Sequence, residues 1–265
     1  MEAEVARHLA RNAKRSNKPN PREERNSPEY SRSKQRGANV IDFDHGKTQT
    51  KIKRVELTPR NLAQEDYVDA LENDSKSVVF AMGPAGCGKT LLATQYAIKC
   101  LQEGLISKIV ITRPAVSVDE EHGFLPGDLI AKMTPWMMPI LDVFKEHYSK
   151  DQVLKMFTDE VVEIAPLAYM RGRTFKNAII IADEMQNSQV SQMKMVLTRI
   201  GENSRMIVTG DLNQHDRGFK INGLGDFVER LEKRGSKAIS VIRFDAHDVE
   251  RHPIIEEILD IYGDD

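Results

Sequence analysis

The chain has 265 residues, 40% of them hydrophobic and 29% charged, with a formal net charge of −2. This balance excludes a wholly disordered chain and supplies enough apolar side chains for one or two folded domains. No apolar run approaches the ~20 residues of a membrane span. The N-terminus lacks the apolar core of a secretory signal, so a cytoplasmic address is expected. Cys87 and Cys100 have no metal-type spacing, so a reducing compartment without a structural disulfide is expected.

Residues 1–36 hold ten Lys or Arg against five Asp or Glu, with Pro19, Pro21 and Pro28 interrupting any helix. Residues 1–50 therefore read as a basic, largely disordered arm. It is either a solubilising tail or a contact for nucleic acid or a neighbouring subunit. Residues 51–265 read as one folded domain. Thr58-Pro59 opens the first predicted helix, with Thr58 as its cap, running to about Asn73. Strands are predicted at Ser77–Met82, Lys108–Thr112, Val161–Ala165, Ala178–Asp183, Arg205–Thr209 and Ala238–Arg243. Helices are predicted near Thr90–Glu103, Leu129–Tyr148, Gln189–Ile200, Leu224–Lys233 and Ile254–Tyr262. Strands alternating with helices imply an α/β fold with a mostly parallel sheet covered on both faces.

Between the first strand and the next helix stands Gly83-Pro84-Ala85-Gly86-Cys87-Gly88-Lys89-Thr90. Every required position of the phosphate-binding loop is filled, in the strand-loop-helix context that this motif needs. Glycines let the backbone N–H groups wrap an anion, and the following helix presents its positive end to it. Lys89 is expected to reach the β- and γ-phosphates of ATP, and Thr90 to place its hydroxyl on Mg²⁺. A later apolar strand ends in Asp183-Glu184. Asp183 suits the metal through water. A second carboxylate, Glu184, suits polarisation of an attacking water, which favours hydrolysis over transfer to a metabolite. After the next strand, Gly210-Asp211-Leu212-Asn213-Gln214 puts an amide at the strand's C-terminal end, where ligands of open parallel sheets bind. Gln214 is expected to sense the γ-phosphate or the water. His122, His215 and His247 form no ligand set in the sequence, and no further metal is expected.

These stretches, with Ile111-Thr112-Arg113-Pro114-Ala115, Gly123–Asp128, Met170–Thr174, Asp183–Asn187, Leu197–Gly201 and Asp248–Pro253, resemble the PhoH-like ATPase family, related to the first domain of superfamily 1 helicases. The resemblance covers roughly residues 58–262. It implies a RecA-like fold, ATPase activity and a role with RNA or single-stranded DNA. Gln64 resembles the glutamine that reads adenine in helicase-like motors. Some members carry a nuclease domain ahead of the ATPase. The region before this one is too short for it, and no nuclease activity is expected.

A superfamily 1 helicase closes its ATP site with an arginine from a second RecA-like domain, which the chain after Asp183 is too short to contain. A neighbouring subunit is the expected donor, in a head-to-tail ring read here as a hexamer with ATP at the interfaces. Arg171, Arg173, Arg199 and Arg251 are the candidates, Arg199 and Arg251 preferred. Thr112-Arg113-Pro114 is a candidate contact for a nucleic-acid strand. Trp136-Met137-Met138 is either an apolar packing or interface patch or a base-stacking platform. Two rival readings are an oligomeric ATPase switch acting on proteins and a small-molecule kinase. Glu184 and the Gln214 element argue against the kinase.

Overall fold

The computed structural model describes residues 53–114, 134–212 and 222–250, with 254, 255 and 261. The elements in chain order are α1 (Leu62–Glu72), β1 (Val78–Met82), α2 (Lys89–Gln102), β2 (Lys108–Thr112), α3 (Met138–His147), α4 (Lys150–Thr158), β3 (Val162–Ile164), β4 (Ala178–Ala182), α5 (Val190–Leu197), β5 (Arg205–Gly210), α6 (Gly223–Arg234) and β6 (Ile239–Arg243). The six strands form one sheet in the order β3-β2-β4-β5-β1-β6, and every neighbouring pair is parallel. β5 thus separates the strand before the phosphate loop from the strand that ends in Asp183.

β1 and β4 are buried at all five positions, as parallel strands covered on both faces must be. Alternate side chains enter two cores. Val79 and Ala81 face a core built with Tyr67 and Leu71 of α1, Ile98 of α2, Phe144 of α3 and Phe157 of α4. Val78, Phe80 and Met82 face the other, with Met193 and Val196 of α5 and Leu224 and Val228 of α6. Large apolar side chains so enclosed contribute roughly 1.5–3 kcal/mol each. Because Met82 pairs with Gly210, and Thr112 with Ala182, the strands end together. The chain leaves the sheet at Gly83, Arg113, Asp183 and Asp211 along one edge.

Two predicted boundaries need correction. α1 starts at Leu62 rather than after Thr58, because Asn61 caps it: its side chain accepts the Gln64 N–H at 2.9 Å, while the Gln64 side chain accepts the Arg60 N–H at 2.9 Å. The predicted Leu129–Tyr148 helix falls partly outside the described residues. Within them a 3-10 turn at Thr134–Met137 precedes α3. A separate α4 follows, started by a capping box between Ser149 and Gln152 that turns the chain out of α3. The basic arm of residues 1–50 lies outside the described residues, as does most of the predicted Ile254–Tyr262 helix. Among the described residues, no helix is long and apolar enough to cross a membrane.

Candidate nucleotide site

The loop after β1 takes its shape from glycine. Gly83, Gly86 and Gly88 all have positive φ. Gly88 sits in the left-handed region at the N-cap of α2, where no side chain caps the helix. A Cβ on Gly83 would lie 2.4 Å from the Phe244 carbonyl oxygen, so the loop and the end of β6 approach closer than any side chain permits. First-turn amides of a helix lack intrahelical partners, and α2 presents them at this glycine loop, which is the arrangement that binds anions.

Lys89 Nζ donates to the carbonyls of Gly83 and Pro84, at 2.6 Å each. Burial pushes its pKa down, against the pull of Cys87, Asp211, Glu184 and Asp183 nearby. Thr90 Oγ1 donates to Asp183 Oδ1 at 2.7 Å, and Thr209 Oγ1 donates to the same oxygen at 2.5 Å. A hydroxyl and a carboxylate meeting across two elements make a hard oxygen donor set of the kind Mg²⁺ prefers. With the glycine cradle, these residues fit a magnesium nucleotide.

Glu184 adopts φ 53°, ψ 40°, a left-handed conformation that is uncommon outside glycine. Such strain clusters at functional positions. The turn brings Gln186 back to it: Gln186 Nε2 donates to Glu184 Oε2 at 2.5 Å, and Gln186 Oε1 accepts the Asp211 N–H at 3.1 Å. Gln186 therefore joins the catalytic candidate to the end of β5. The sequence contained this residue inside Asp183–Asn187 without revealing a role, because the partner Asp211 is 25 residues away. Thr209 was missed for the same reason.

Gln64 is buried against the loop, donating through Nε2 to the Cys87 carbonyl at 3.2 Å. Arg113, read from sequence as a candidate nucleic-acid contact, stands beside the acidic pair. Its guanidinium is 4.0 Å from Asp183 Oδ2 and 3.9 Å from Glu184 Oε1. Other candidates are not brought here. Arg199 donates to the carbonyls of Met195 and Arg173 and to Thr198 Oγ1. Its own carbonyl accepts the Phe175 N–H, ahead of β4 and at the opposite edge of the sheet. Arg173 is held bidentately by Glu163, and Arg171 is exposed. Met137 is fully buried and Trp136 partly so, which matches the packing reading of that cluster. Gln214 and Arg251 lie outside the described residues. Glu250, which precedes Arg251, donates its N–H to the Gly86 carbonyl at 3.1 Å.

An all-parallel α/β sheet, a glycine phosphate loop and an acidic pair just past β4 together define a P-loop protein. The particular family follows from comparison: the family model described as "PhoH-like protein" matches residues 56–263, and the chain belongs to that family. It is 44% identical over 205 residues to a PhoH-like protein of Bacillus subtilis, a match covering 77% of this chain and 63% of that protein. It is 42% identical over 211 residues to Protein PhoH of Escherichia coli K12, covering 78% and 58%. The chain thus spans about three fifths of the length of these curated relatives. Among solved structures it is similar to a Pyrococcus furiosus Hef helicase domain, with TM-score 0.41 and 13% identity over 74% of this chain and 39% of that one.

Proposed function

We propose that this chain is a Mg²⁺-dependent ATPase working as an oligomeric motor or remodeller on RNA or single-stranded DNA. The observation that carries the hydrolytic part is the Glu184 carboxylate beside Asp183, with Lys89 and Thr90 facing the same edge. Lys89 would exchange its two loop carbonyls for phosphate oxygens. Thr90 and Asp183 would hold the metal, which when bound withdraws charge from the transferring phosphoryl group. Glu184, steadied by Gln186, would orient the water and take up its proton. Gln64, Gly83, Pro84, Ala85, Gly86, Cys87 and Gly88 would line the nucleotide, and Gln214 would report on its γ-phosphate.

The assembly part rests on the expectation that an arginine from outside this core completes the site. Arg199 lies at the opposite edge of the sheet, so it could reach only a neighbour's nucleotide, and its donors are already engaged within its own chain. Arg251 is the other candidate. Nucleic acid as the substrate rests on the family resemblance and the basic arm, with residues 51–265 as the ATPase unit.

The test is phosphate release by the purified chain across protein concentration, with and without single-stranded RNA or DNA, alongside mass by light scattering. Turnover per subunit is expected to rise with assembly and again with nucleic acid. Lys89→Ala should weaken nucleotide binding and abolish turnover. Glu184→Gln should still bind ATP while losing about 10²–10⁴ in rate. Normal turnover by Glu184→Gln would remove Glu184 from the chemistry.

A further inference from the structure

The hydrogen bonds at the acidic pair leave one oxygen of each carboxylate facing the same cation. Asp183 Oδ1 already accepts from Thr90 and Thr209, and Glu184 Oε2 already accepts from Gln186. The remaining oxygens, Asp183 Oδ2 and Glu184 Oε1, face the Arg113 guanidinium at 4.0 and 3.9 Å. Both distances are too long for direct hydrogen bonds and short enough for ion pairing. Arg113 is also bound to Trp136. Its NH1 donates to the Trp136 carbonyl at 3.3 Å, and its guanidinium carbon lies 5.4 Å from the centre of the indole. Arg113 Nε is buried and finds no hydrogen-bond partner among the described residues. The side chain thus has donor capacity in reserve at the point where charge changes on nucleotide binding.

We propose that Arg113 is a positioning residue that couples occupancy of the site at the Asp183–Glu184 pair to the Trp136 turn. This rests on the ATPase reading given above. In the empty site the guanidinium offsets the repulsion between two adjacent carboxylates. A divalent cation held by Thr90 and Asp183 would repel the guanidinium, and a bound phosphate would attract it. Either change gives the loaded and empty sites different optimum positions for Arg113, which is what a ligand needs to shift an equilibrium. Trp136 is tied to that position through both its carbonyl and its ring, so the Thr134–Met137 turn follows. Arginine's planar fork lets its terminal nitrogens face both carboxylates and bond a carbonyl while its carbon lies over an indole. A lysine would keep the charge and lose the geometry.

The readout is direct, because Trp136 is the sole tryptophan of the chain. Its emission is recorded during titration with Mg²⁺ and a non-hydrolysable ATP analogue, while calorimetry measures binding of the same analogue independently. Wild type is expected to show an emission change that saturates with the calorimetric isotherm. Arg113→Ala and Arg113→Lys are expected to bind the analogue within roughly tenfold of wild type but to lose most of that change. Their turnover should fall roughly tenfold or more with little change in KM, the mark of a residue acting on the chemical step. The lysine variant retains the positive charge, so it keeps the test open where the alanine variant does not fold. An unchanged Trp136 response in a variant that binds, or a silent Trp136 in wild type that binds, would overturn the coupling while leaving the ATPase reading intact. Absence of calorimetric binding in wild type would remove both.

Discussion

Replacing Gln186 by methionine keeps the volume of a fully enclosed side chain and deletes both ends of one bridge. Gln186 is 2% exposed, donates to Glu184 Oε2 at 2.5 Å and accepts from the Asp211 N–H at 3.1 Å. Taking away the acceptor at a buried strand end costs about 1–3 kcal/mol, and a hydrogen bond to a charged group contributes about 1.5–3 kcal/mol. The Glu184 side chain is 37% exposed, so water recovers much of the second amount. A net loss of about 2 kcal/mol follows, or roughly 1 M in the urea midpoint at an ordinary slope of about 2 kcal/mol/M. Catalysis should fall separately. Glu184 holds a left-handed backbone, and without its tether the carboxylate has other positions to occupy. A decrease in kcat of roughly tenfold with KM unchanged is the expected pattern, since the tether acts on the water rather than on nucleotide binding. Urea unfolding by circular dichroism and steady-state phosphate release measure the two effects. A midpoint within about 0.2 M of wild type, with kcat unaltered, would refute the reasoning that Gln186 anchors the catalytic carboxylate.

Two further outcomes follow from the same geometry. Gly83→Ala combines a positive φ with a Cβ 2.4 Å from the Phe244 carbonyl. It should cost about 2 kcal/mol or more and weaken nucleotide binding, as seen by thermal melting and calorimetry; a loss below about 0.5 kcal/mol would mean the loop moves aside freely. At Glu163, burial alone would raise the carboxyl pKa, but hydrogen bonds from Arg173 and Lys108 outweigh it and hold it below the ordinary range. A depressed folded pKa adds stability above the unfolded value, about 4.3, and that stability is lost as pH falls through the folded value. Glu163→Gln should therefore lose about 1 kcal/mol at pH 7, with the gap to wild type closing below about pH 4; a gap independent of pH would exclude the ion pairs as its source.

Local chemistry makes much of this protein readable from its sequence. The buried strands β1 and β4 are continuous apolar runs, and the phosphate loop is a string of glycines between a strand and a helix. The acidic pair closes one of those strands. Each is specified by neighbours in the chain, where the link between residue type and backbone is shortest. The start of α1 was less legible: Thr58-Pro59 carries a starting signal, yet the helix begins at Leu62. What decided it was a side-chain exchange among Arg60, Asn61 and Gln64.

Contacts between distant segments belonged to the tertiary structure alone. The strand order β3-β2-β4-β5-β1-β6 places β5 between the two halves of the site, bringing Thr209 to Asp183 and Asp211 to Gln186. The same folding turned Arg113 onto the acidic pair and carried Arg199 to the far edge of the sheet, although as residue types the two are identical. Residue type and spacing thus determined the chemistry this chain can present, since those properties are local. Which groups share one charge, one carbonyl or one carboxylate oxygen depended on how the sheet is ordered, because such contacts join residues that only the folded chain brings together.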